Sequence, residues 1–361
     1  MKKKLILLSI FTLISLNSFA ETSLKTKLTI NNTKIKNLEA TSSSKAKFFL
    51  YNDDFENSLI DVEYSLYTEN DSNNNKNNLD LARIKLVQNN IEVILGKTRL
   101  GWGQGFNFNP IDIFNETPAG AAFDSNYEKE ARNSIIFNSY LQNDDSLQFV
   151  YAGNYDNGSI SKDIEYGVRY KQFIFNTDFE FMYAKRGNET KPYETLVPSD
   201  IYGASIKTTI PYINYGYWIE GNYSAADDVY TFITGIDNYF GQNYYFNIEY
   251  YQNGYGKSSK ELYDSDNDLT KIAYNIPIGT DYVIPSFRYE MNELFSTTFF
   301  SFVNINDNSF TIGNSSDYYY NNLLSFNFTE FFFVGEEGSE YYLTKSTYGD
   351  YGISLTVTAE F

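Results

Sequence analysis

The acidic side chains have the most scope for chemistry in this sequence, because the chain contains no histidine and no cysteine. A serine or cysteine nucleophile paired with a histidine base is therefore excluded, as is a zinc site built on histidine. Two carboxylates across a cleft could still supply the acid and the base of glycoside hydrolysis. Carboxylates arranged along strands could instead line a polar passage. The spacing of the acidic residues in the sequence therefore bears on which of these two roles they have.

Charged residues alternate with apolar residues in many short segments. Tyr166, Val168 and Tyr170 occupy one set of alternate positions, while Glu165 and Arg169 belong to the other. Successive side chains of a β-strand point to opposite faces, so one face of such a strand is apolar and the other polar. A polar inner face suits a water-filled interior and does not suit a packed core. The residues that this alternation places on the inner face are Arg83, Lys85, Glu165, Arg169, Asp178, Glu180, Glu220, Asn247 and Glu249.

One segment, residues 96–115 (GKTRLGWGQGFNFNPIDIFN), concentrates glycine, asparagine and aromatic residues. It is not a dinucleotide-binding fingerprint, because the glycine spacing is wrong and no amphipathic helix follows. Its glycines allow a tight chain reversal and a close approach of the backbone to other groups. Pro110 favours a turn just before Asp112.

This segment resembles outer-membrane porins of the alginate-export type, in which a strand ending in Gly-Arg-Gln leads to Trp-Gly and then to an Asn-Pro-x-Asp-x-Phe run. The chain departs from that pattern at Lys97, Thr98 and Arg99, where Arg-Gln is common. The resemblance implies a transport barrel, and it implies that Arg99, Trp102 and Asp112 lie at the constriction of the passage.

Period-two alternation predicts about eighteen strands along the chain. Two of them, residues 45–51 and 309–313, are weak, so sixteen strands would fit almost as well. Short turns alternate with longer connections, as expected when turns collect at one end of a barrel and loops at the other. The predicted fold class is all-β, a transmembrane antiparallel β-barrel of 16 to 18 strands (18 preferred) with both termini periplasmic. The predicted long connections are residues 67–78, 100–133, 154–163, 186–199, 254–280 and 335–348.

The longest of these connections, residues 100–133, is expected to fold into the barrel. Its side chains Phe106, Phe108, Ile111 and Phe114 are too apolar to stand free in water. Folding inward would bury them against the barrel wall and narrow the passage.

Both ends of the chain favour export to an outer membrane. Residues 1–20 combine three lysines, a short apolar run and small residues up to Ala20, which is typical of a cleaved signal peptide. Residues 21–361 are then predicted to form one barrel domain. The chain alternates apolar and polar residues up to Phe361, and a terminal aromatic residue resembles the signal that outer-membrane barrels present to the barrel-assembly machinery.

The composition favours a membrane barrel over a helical membrane protein. The chain holds 34 tyrosines and 30 phenylalanines, yet its mean hydropathy is −0.42. In a barrel, lipid-facing residues alternate with polar ones, and aromatic residues collect in girdles at the two membrane interfaces. No segment after the leader approaches the ~20 consecutive apolar residues of a membrane helix.

The charge of the chain is strongly negative, at −18, and loss of the three leader lysines would leave 25 basic against 46 acidic residues, net −21. Nucleic acid is therefore not an expected partner, since phosphate binding needs clustered cations. The same charge predicts a preference for cations. Asp264, Asp266 and Asp268 have a calcium-like spacing, but Leu269 stands where an EF-hand needs glycine, so neither a metal nor a cofactor is predicted.

These features together predict an outer-membrane porin of a Gram-negative-type (diderm) bacterium. Small hydrophilic solutes or ions would diffuse through its water-filled barrel, and no reaction would be catalysed. The expected partners are outer-membrane lipid and lipopolysaccharide, and a homotrimer is one assembly that such a barrel could form. The alternatives are a non-conducting surface or adhesion barrel and a lumen-sited hydrolase that uses two carboxylates.

Overall fold

The computed structural model describes residues 22–35, 41–52, 60–71, 74–115, 128–153, 155–156, 159–160, 165–187, 189–191, 194–273 and 276–360 of the 361-residue chain. The predicted signal peptide, the terminal Phe361 and the middle of the longest predicted connection lie outside these residues.

Strands dominate the described part of the chain, because the period-two alternation extends along most of it. In chain order they are β1 (Thr22–Ile35), β2 (Thr41–Asn52), β3 (Ile60–Asp71), β4 (Asn74–Gln88), β5 (Ile91–Thr98), β6 (Arg132–Tyr140), β7 (Ser146–Gly153), β8 (Tyr155–Asp156), β9 (Ser159–Ile160), β10 (Glu165–Ile174), β11 (Thr177–Arg186), β12 (Glu189–Lys191), β13 (Glu194–Leu196), β14 (Ser199–Ile210), β15 (Tyr215–Ser224), β16 (Val229–Phe240), β17 (Tyr244–Gln252), β18 (Asp281–Asn292), β19 (Phe295–Asn304), β20 (Ser309–Asn321), β21 (Leu324–Val334) and β22 (Tyr351–Glu360).

Eighteen of these described strands form one antiparallel sheet, and the sheet closes on itself. Each strand pairs with the next one in the wall, β2 lies beside β3, and the last strand, β22, pairs with β1. The short strands β8 with β9, and β12 with β13, form two separate hairpins. The predicted antiparallel barrel is therefore confirmed, and the described strands give the preferred number of eighteen.

Two α-helices lie in the described connections between strands. Helix α1 (Ser265–Ala273) lies between β17 and β18, and helix α2 (Glu340–Tyr348) lies between β21 and β22. Within the described residues, no helix has the length and apolar character needed to cross a membrane.

Side chains alternate between the two faces of the wall, as the sequence predicts. On β15, Ile219 is exposed on the outer face, whereas its neighbours Trp218 and Glu220 are completely buried on the inner face. On β11, Phe181 is exposed and Glu180 is buried. Polar residues therefore point inward and apolar residues point outward.

Aromatic residues form a band near each end of the outer face. Near one end, the rings of Tyr223 and Tyr230 stack with centroids 4.4 Å apart. Near the other end, Tyr244 stacks on Tyr289 with centroids 5.1 Å apart. Two aromatic bands around an apolar belt are the expected outer surface of a membrane barrel.

The connections differ between the two ends of the barrel. At one end, which we call the turn rim, strands are joined by short turns that include residues 89–90, 175–176, 241–243, 293–294 and 322–323. Asn89 and Asn176 adopt positive φ there, as tight hairpins require. The opposite end, the loop rim, carries the longer connections 99–131, 154–164, 187–198, 253–280 and 335–350. The last strand ends at the turn rim, where the Glu360 N–H donates to the Leu323 carbonyl.

Three predicted boundaries are wrong. Strands β3 and β4 stay paired as far as Asp71 and Asn74, where the sequence predicts a long loop over residues 67–78. Strand β20 runs to Asn321 and not to residue 313. Backbone pairing holds these segments in the sheet whatever their side chains are, so their polar residues hide them from a search for alternation.

The third wrong boundary is the turn between β10 and β11. The sequence places it at residues 171–172, whereas the chain reverses at Phe175 and Asn176. The period-two alternation of residues 173–185 predicts that Phe175 lies on a lipid-facing strand, which is wrong: Phe175 has a φ of 52° and its side chain is almost fully exposed. An aromatic residue at a left-handed turn position resembles a continuing strand in sequence, and Asn176 carries the turn.

Candidate solute pathway

Residues 100–115, which follow β5, lie inside the barrel, and we call them the inner loop. A carboxylate of the wall, Glu220 on β15, holds their backbone. Its two oxygens accept hydrogen bonds from the N–H groups of Gln104, Gly105 (3.4 Å) and Ile111 (3.1 Å). These hydrogen bonds offset the cost of burying the charge of Glu220, whose side chain is fully inaccessible.

A second wall carboxylate, Glu249 on β17, binds the next residues of the inner loop. It accepts hydrogen bonds from the N–H groups of Phe106 (2.8 Å) and Asn107 (3.0 Å) and from the side-chain amide of Asn107 (2.6 Å). The indole N–H of Trp218 donates to the same carboxylate at 3.0 Å. Glu220 and Glu249 thus fix the inner loop to two strands of the wall.

The glycines of the inner loop allow this close approach. Gly103 has a φ of +106°, and a Cβ added to it would lie 2.9 Å from a carboxylate oxygen of Glu220. A Cβ at Gly105 would lie 2.0 Å from the carbonyl oxygen of Phe108. Larger residues at these two positions would move the loop backbone away from Glu220.

Apolar side chains anchor the inner loop against the opposite part of the wall. Trp102 and Phe114 meet edge to face, with ring centroids 4.8 Å apart, and Ile111 is fully buried beside them. A Cβ at Gly167 of β10 would lie only 3.0 Å from both rings, so this glycine makes room for them. The wall residues of this apolar cluster are Ile94, Ile136, Val150, Ala152, Met182, Ala184 and Ile201.

A chain of polar contacts runs from Trp102 along the inner wall. The indole N–H of Trp102 donates to Gln148 (2.6 Å), and Gln148 donates to Asn138 (2.7 Å). Asn138 donates to Glu92 (2.6 Å), which also forms an ion pair with Lys85 (3.0 Å). One end of this network is therefore a predicted pathway residue, Lys85, and the other is Trp102.

Arg169 on β10 packs against the inner loop. Its guanidinium carbon lies 5.4 Å from the ring centroid of Trp102, and one Nη donates to the Gly101 carbonyl at 3.1 Å. The same side chain forms an ion pair with Glu180 (3.4 Å), which also pairs with Lys171 (3.2 Å). Arg169 and Glu180 thus interact mainly with groups of the wall and of the inner loop.

Arg99 and Asp112 form ion pairs close to the loop rim. Arg99 pairs with Asp80 and with Glu128, the latter at 3.1 Å. Asp112 pairs with Lys129 at 2.6 Å. Burial raises the pKa of Asp112 above its usual value, although Lys129 acts in the opposite direction.

The other predicted pathway residues occupy separate positions. Glu165 forms a buried ion pair with Arg132. Arg83 donates a long hydrogen bond to Thr98 (3.4 Å). Asp178 is exposed on the inner face of β11, close to the turn rim.

The predicted residues therefore fall into several groups. Trp102, Arg169 and Glu180 share one network of contacts. Arg99 instead pairs with Asp80 and Glu128, and Glu249 binds the backbone of the inner loop. Glu220 is not among the residues expected at the constriction, although alternation places it on the inner face. The alternation gave no indication of its partner, since the inner loop lies more than a hundred residues earlier in the chain.

A cavity of about 790 Å³ lies between the inner loop, the inner faces of β16 to β21 and the two helices. Aromatic side chains provide much of its lining. Phe108 of the inner loop stacks on Tyr251 (4.5 Å between centroids) and lies edge-on to Phe302 (6.2 Å). Other aromatic lining residues are Phe106, Tyr239, Tyr245, Tyr282, Phe300, Phe331, Phe333 and Tyr341.

Few charged groups reach this aromatic cavity. Arg288 lines it and forms an ion pair with Glu290 (3.2 Å). Asn247 of β17 also lines it, is 1% exposed, and makes no side-chain hydrogen bond within the described part of the chain. The lining therefore offers aromatic faces together with a small number of polar groups.

Helix α2 borders the cavity on its loop-rim side through Glu340. This carboxylate accepts hydrogen bonds from the hydroxyl of Tyr282, the amide of Asn304 (2.6 Å) and the N–H of Ile278 (3.2 Å). Complete burial raises the pKa of Glu340 to about 7.

The acidic run Asp264, Asp266 and Asp268 lies at the start of helix α1, and Asp268 has a structural partner. Asp268 is buried and pairs with Lys257 at 2.9 Å. Across the described residues, no group of three or more acidic side chains is arranged to hold a metal ion.

Comparisons with known proteins identify the fold. No family model matches the chain, and no curated protein matches its sequence. Among solved structures, the chain is similar to OccK11 (OpdR) of Pseudomonas aeruginosa, with a TM-score of 0.59 and 10% identity over 94% of this chain and 95% of that one. It is also similar to mutants of the Rh. blastica porin, one with a TM-score of 0.53 and 10% identity over 94% of this chain and 100% of that one. The chain has the barrel fold that these porin structures share.

Proposed function

We propose that the protein is an outer-membrane porin, a channel through which small hydrophilic solutes or ions diffuse, and that it catalyses no reaction. One observation carries this proposal: an eighteen-stranded barrel whose inner face is polar and whose interior is crossed by a loop beside an open cavity. A barrel of this size encloses more space than its own side chains can fill. The porin fold of the solved structures supports the same function.

The inner loop is the proposed constriction of the channel. It occupies the side of the lumen next to β5 to β14, where Trp102, Ile111 and Phe114 pack against the wall. Solutes would pass on the other side of the inner loop, between Phe106 and Phe108 and the strands β16 to β21. Proteins narrow channels in this way to add selectivity to a wide pore.

The orientation of the barrel in the membrane and its partners follow from the assignment as a porin. The turn rim would face the periplasm, so both termini would lie there, and residues 1–20 would be removed as a signal peptide. Lipid and lipopolysaccharide would surround the outer face, and Phe361 would engage the barrel-assembly machinery. A relation to alginate-export-type porins and a homotrimeric state belong to this proposal as predictions.

The lining of the cavity favours solutes with an apolar face and hydrogen-bonding edges. Arg99, Arg169 and Glu249 are engaged by neighbouring residues, whereas Phe108, Phe302 and other aromatic rings border the cavity. Aromatic rings bind flat apolar surfaces, and Asn247 offers an amide at the same wall.

Planar-bilayer recording of the purified protein tests the proposed function. A porin should give stable single-channel steps, and liposomes that contain it should swell in solutions of small neutral solutes. A folded barrel without conductance would support the alternative of a surface or adhesion barrel. Hydrolysis of an oligosaccharide that is lost in Glu220→Gln or Glu249→Gln would support the alternative of a carboxylate hydrolase.

The solute preference is tested with two aromatic residues of one strand. Phe302 of β19 lines the cavity, whereas Phe299 of the same strand is exposed on the outer face. Phe302→Ala should weaken the current block caused by a ring-shaped neutral solute, and Phe299→Ala should leave it unchanged. Equal block in both variants and the parent would show that the cavity does not bind such solutes.

A further inference from the structure

Two phenylalanine side chains of the inner wall lie across the strand that follows their own. Phe300 of β19 pairs with Gly313 of β20, and Phe331 of β21 pairs with Gly352 of β22. A Cβ added to Gly313 would lie 2.7 Å from Cε2 of Phe300, and one added to Gly352 would lie 2.6 Å from Cε2 of Phe331. The far end of each ring therefore covers the glycine of the next strand, because no side chain stands there.

The two rings belong to one row across the wall. The strand register aligns Phe300 with Gly313, Gly313 with Phe331, and Phe331 with Gly352. Both rings lean in the same direction, towards the later strand, and both line the aromatic cavity. A ring that leans across the wall extends less far into the lumen than a ring that points away from the wall. The row therefore carries two large side chains and still leaves space in front of them.

Neither glycine is required by its own backbone conformation, since neither has a positive φ. The inward residues on either side of Gly313 in β20 are Thr311 and Ser315, and the next inward residue after Gly352 in β22 is Ser354. Glycine weakens a strand, because it has no side chain to pack and loses the most backbone freedom on folding. The contact with a ring is the feature that accounts for glycine at these two positions.

The surroundings of Gly352 show where a displaced ring would go. The three atoms nearest to an added Cβ all belong to the Phe331 ring, so a methyl group would meet this ring first. Phe333 packs against Phe331 on the loop-rim side, with centroids 5.4 Å apart, and blocks movement along β21 in that direction. The cavity lies in front of the ring. A methyl group at residue 352 would therefore turn the Phe331 ring towards the lumen.

We propose that Gly313 and Gly352 set the width of the solute pathway by letting Phe300 and Phe331 lie against the wall. The two glycines are positioning residues, which act on the solute through the two rings. This proposal rests on the proposed function, because it concerns the size of the solutes that the channel admits.

The variant Gly352→Ala tests the effect on the pathway. It should lower single-channel conductance by about a factor of two, since the displaced ring narrows the passage. It should also lower the size of the largest neutral solute that swells liposomes. Gly221→Ala adds the same methyl group on the outer face of β15 and should leave both measurements unchanged. Conductance and size limit equal to those of the parent in Gly352→Ala would overturn the proposal.

Removal of the ring separates this role from a general effect on the wall. In a Phe331→Ala background the methyl group at residue 352 has no ring to displace. The double variant should therefore conduct as well as Phe331→Ala alone. An equal fall in conductance with and without the ring would overturn the proposal. Heat-modifiable gel mobility shows which variants are folded, and Gly313→Ala with Phe300→Ala supplies a second set if Gly352→Ala does not fold.

A crystal structure of Gly352→Ala tests the position of the ring without any current. It should show the Phe331 ring turned towards the lumen, and a ring that still lies against the wall would overturn the proposal. The failure of the proposed function gives a different result, which is a folded parent protein that conducts no ions. A conducting parent with unaltered glycine variants would refute only the role of Gly313 and Gly352.

Discussion

At the scale of single residues, two wall carboxylates do most to position the inner loop. Glu220 and Glu249 together accept hydrogen bonds from five backbone N–H groups of that loop. Charged acceptors make stronger hydrogen bonds than neutral ones. The loop therefore depends on side chains that a pore would otherwise present to its solutes.

Glu220→Ala should loosen the inner loop. It leaves the N–H groups of Gln104, Gly105 and Ile111 without their acceptor, and each unsatisfied buried group costs about 1–3 kcal/mol. Single-channel recordings should show higher conductance and more frequent current fluctuations than the parent. Asp178→Ala, which removes an exposed inward carboxylate, is the control and should leave the fluctuations unchanged. A quiet, unaltered channel in folded Glu220→Ala would contradict the docking role.

Glu340 should make the stability of the protein depend on pH around neutrality. Burial raises its pKa to about 7, so the folded state holds this proton at a pH where the unfolded state has lost it. Stability is then greatest below the unfolded pKa and falls as the pH rises through 7, by about 1 kcal/mol between pH 6 and pH 8.

Thermal unfolding from pH 5.5 to 8.5 measures this dependence. Glu340→Gln keeps the shape of the side chain and removes the titration, so its unfolding temperature should change less over the same range. An equally steep dependence in Glu340→Gln would assign it to other groups.

At the scale of elements, the inner loop and the strands follow different rules. The strands arise from local alternation, which needs only neighbouring residues. The inner loop has no regular hydrogen bonding of its own and takes its shape from Glu220, Glu249 and the apolar cluster around Trp102. The loop could therefore be removed while the strands remain.

Deletion of residues 106–122 should raise single-channel conductance and weaken ion selectivity, because it removes the donors to Glu249 and the side chains beside the cavity. The barrel should still migrate as a folded species on a semi-native gel. Deletion of residues 189–196, which form the β12–β13 hairpin of the loop rim, is the matched control. Equal conductance in the two deletion variants would show that residues 106–122 do not narrow the channel.

At the scale of the whole molecule, we expect the excess of acidic residues to set the electric field in the lumen. A processed chain with net charge −21 should prefer cations, and the preference should fall as salt screens the charges. Reversal potentials across a salt gradient measure this selectivity at low and high ionic strength. A clear anion preference would mean that arginine and lysine side chains at the narrowest point outweigh the summed charge.

The sequence by itself determined the class of fold, a strand number of sixteen to eighteen and the face on which most residues lie. Strand alternation has a period of two, so Glu180, Glu220 and Glu249 can be placed on the inner face from their neighbours alone. Strands β3 and β4 show the limit of this reasoning. The alternation ends near Tyr67, but the two strands stay paired through the polar residues that follow. Outside the apolar belt, the position at which a strand ends is set by its hydrogen bonding to the neighbouring strand. The sequence of one strand alone therefore gives little indication of that position.

Only the tertiary structure decided which charged groups meet and where the inner loop lies. Glu220 binds residues that precede it by more than a hundred positions, and Arg169 contacts both Trp102 and Glu180 because the wall brings three segments together. The sequence favoured an inward loop from its apolar side chains, but its contacts depend on backbone N–H groups, which every residue except proline has. Side-chain type therefore gives no information about these partners, and closure of the barrel is what brings them within hydrogen-bond distance.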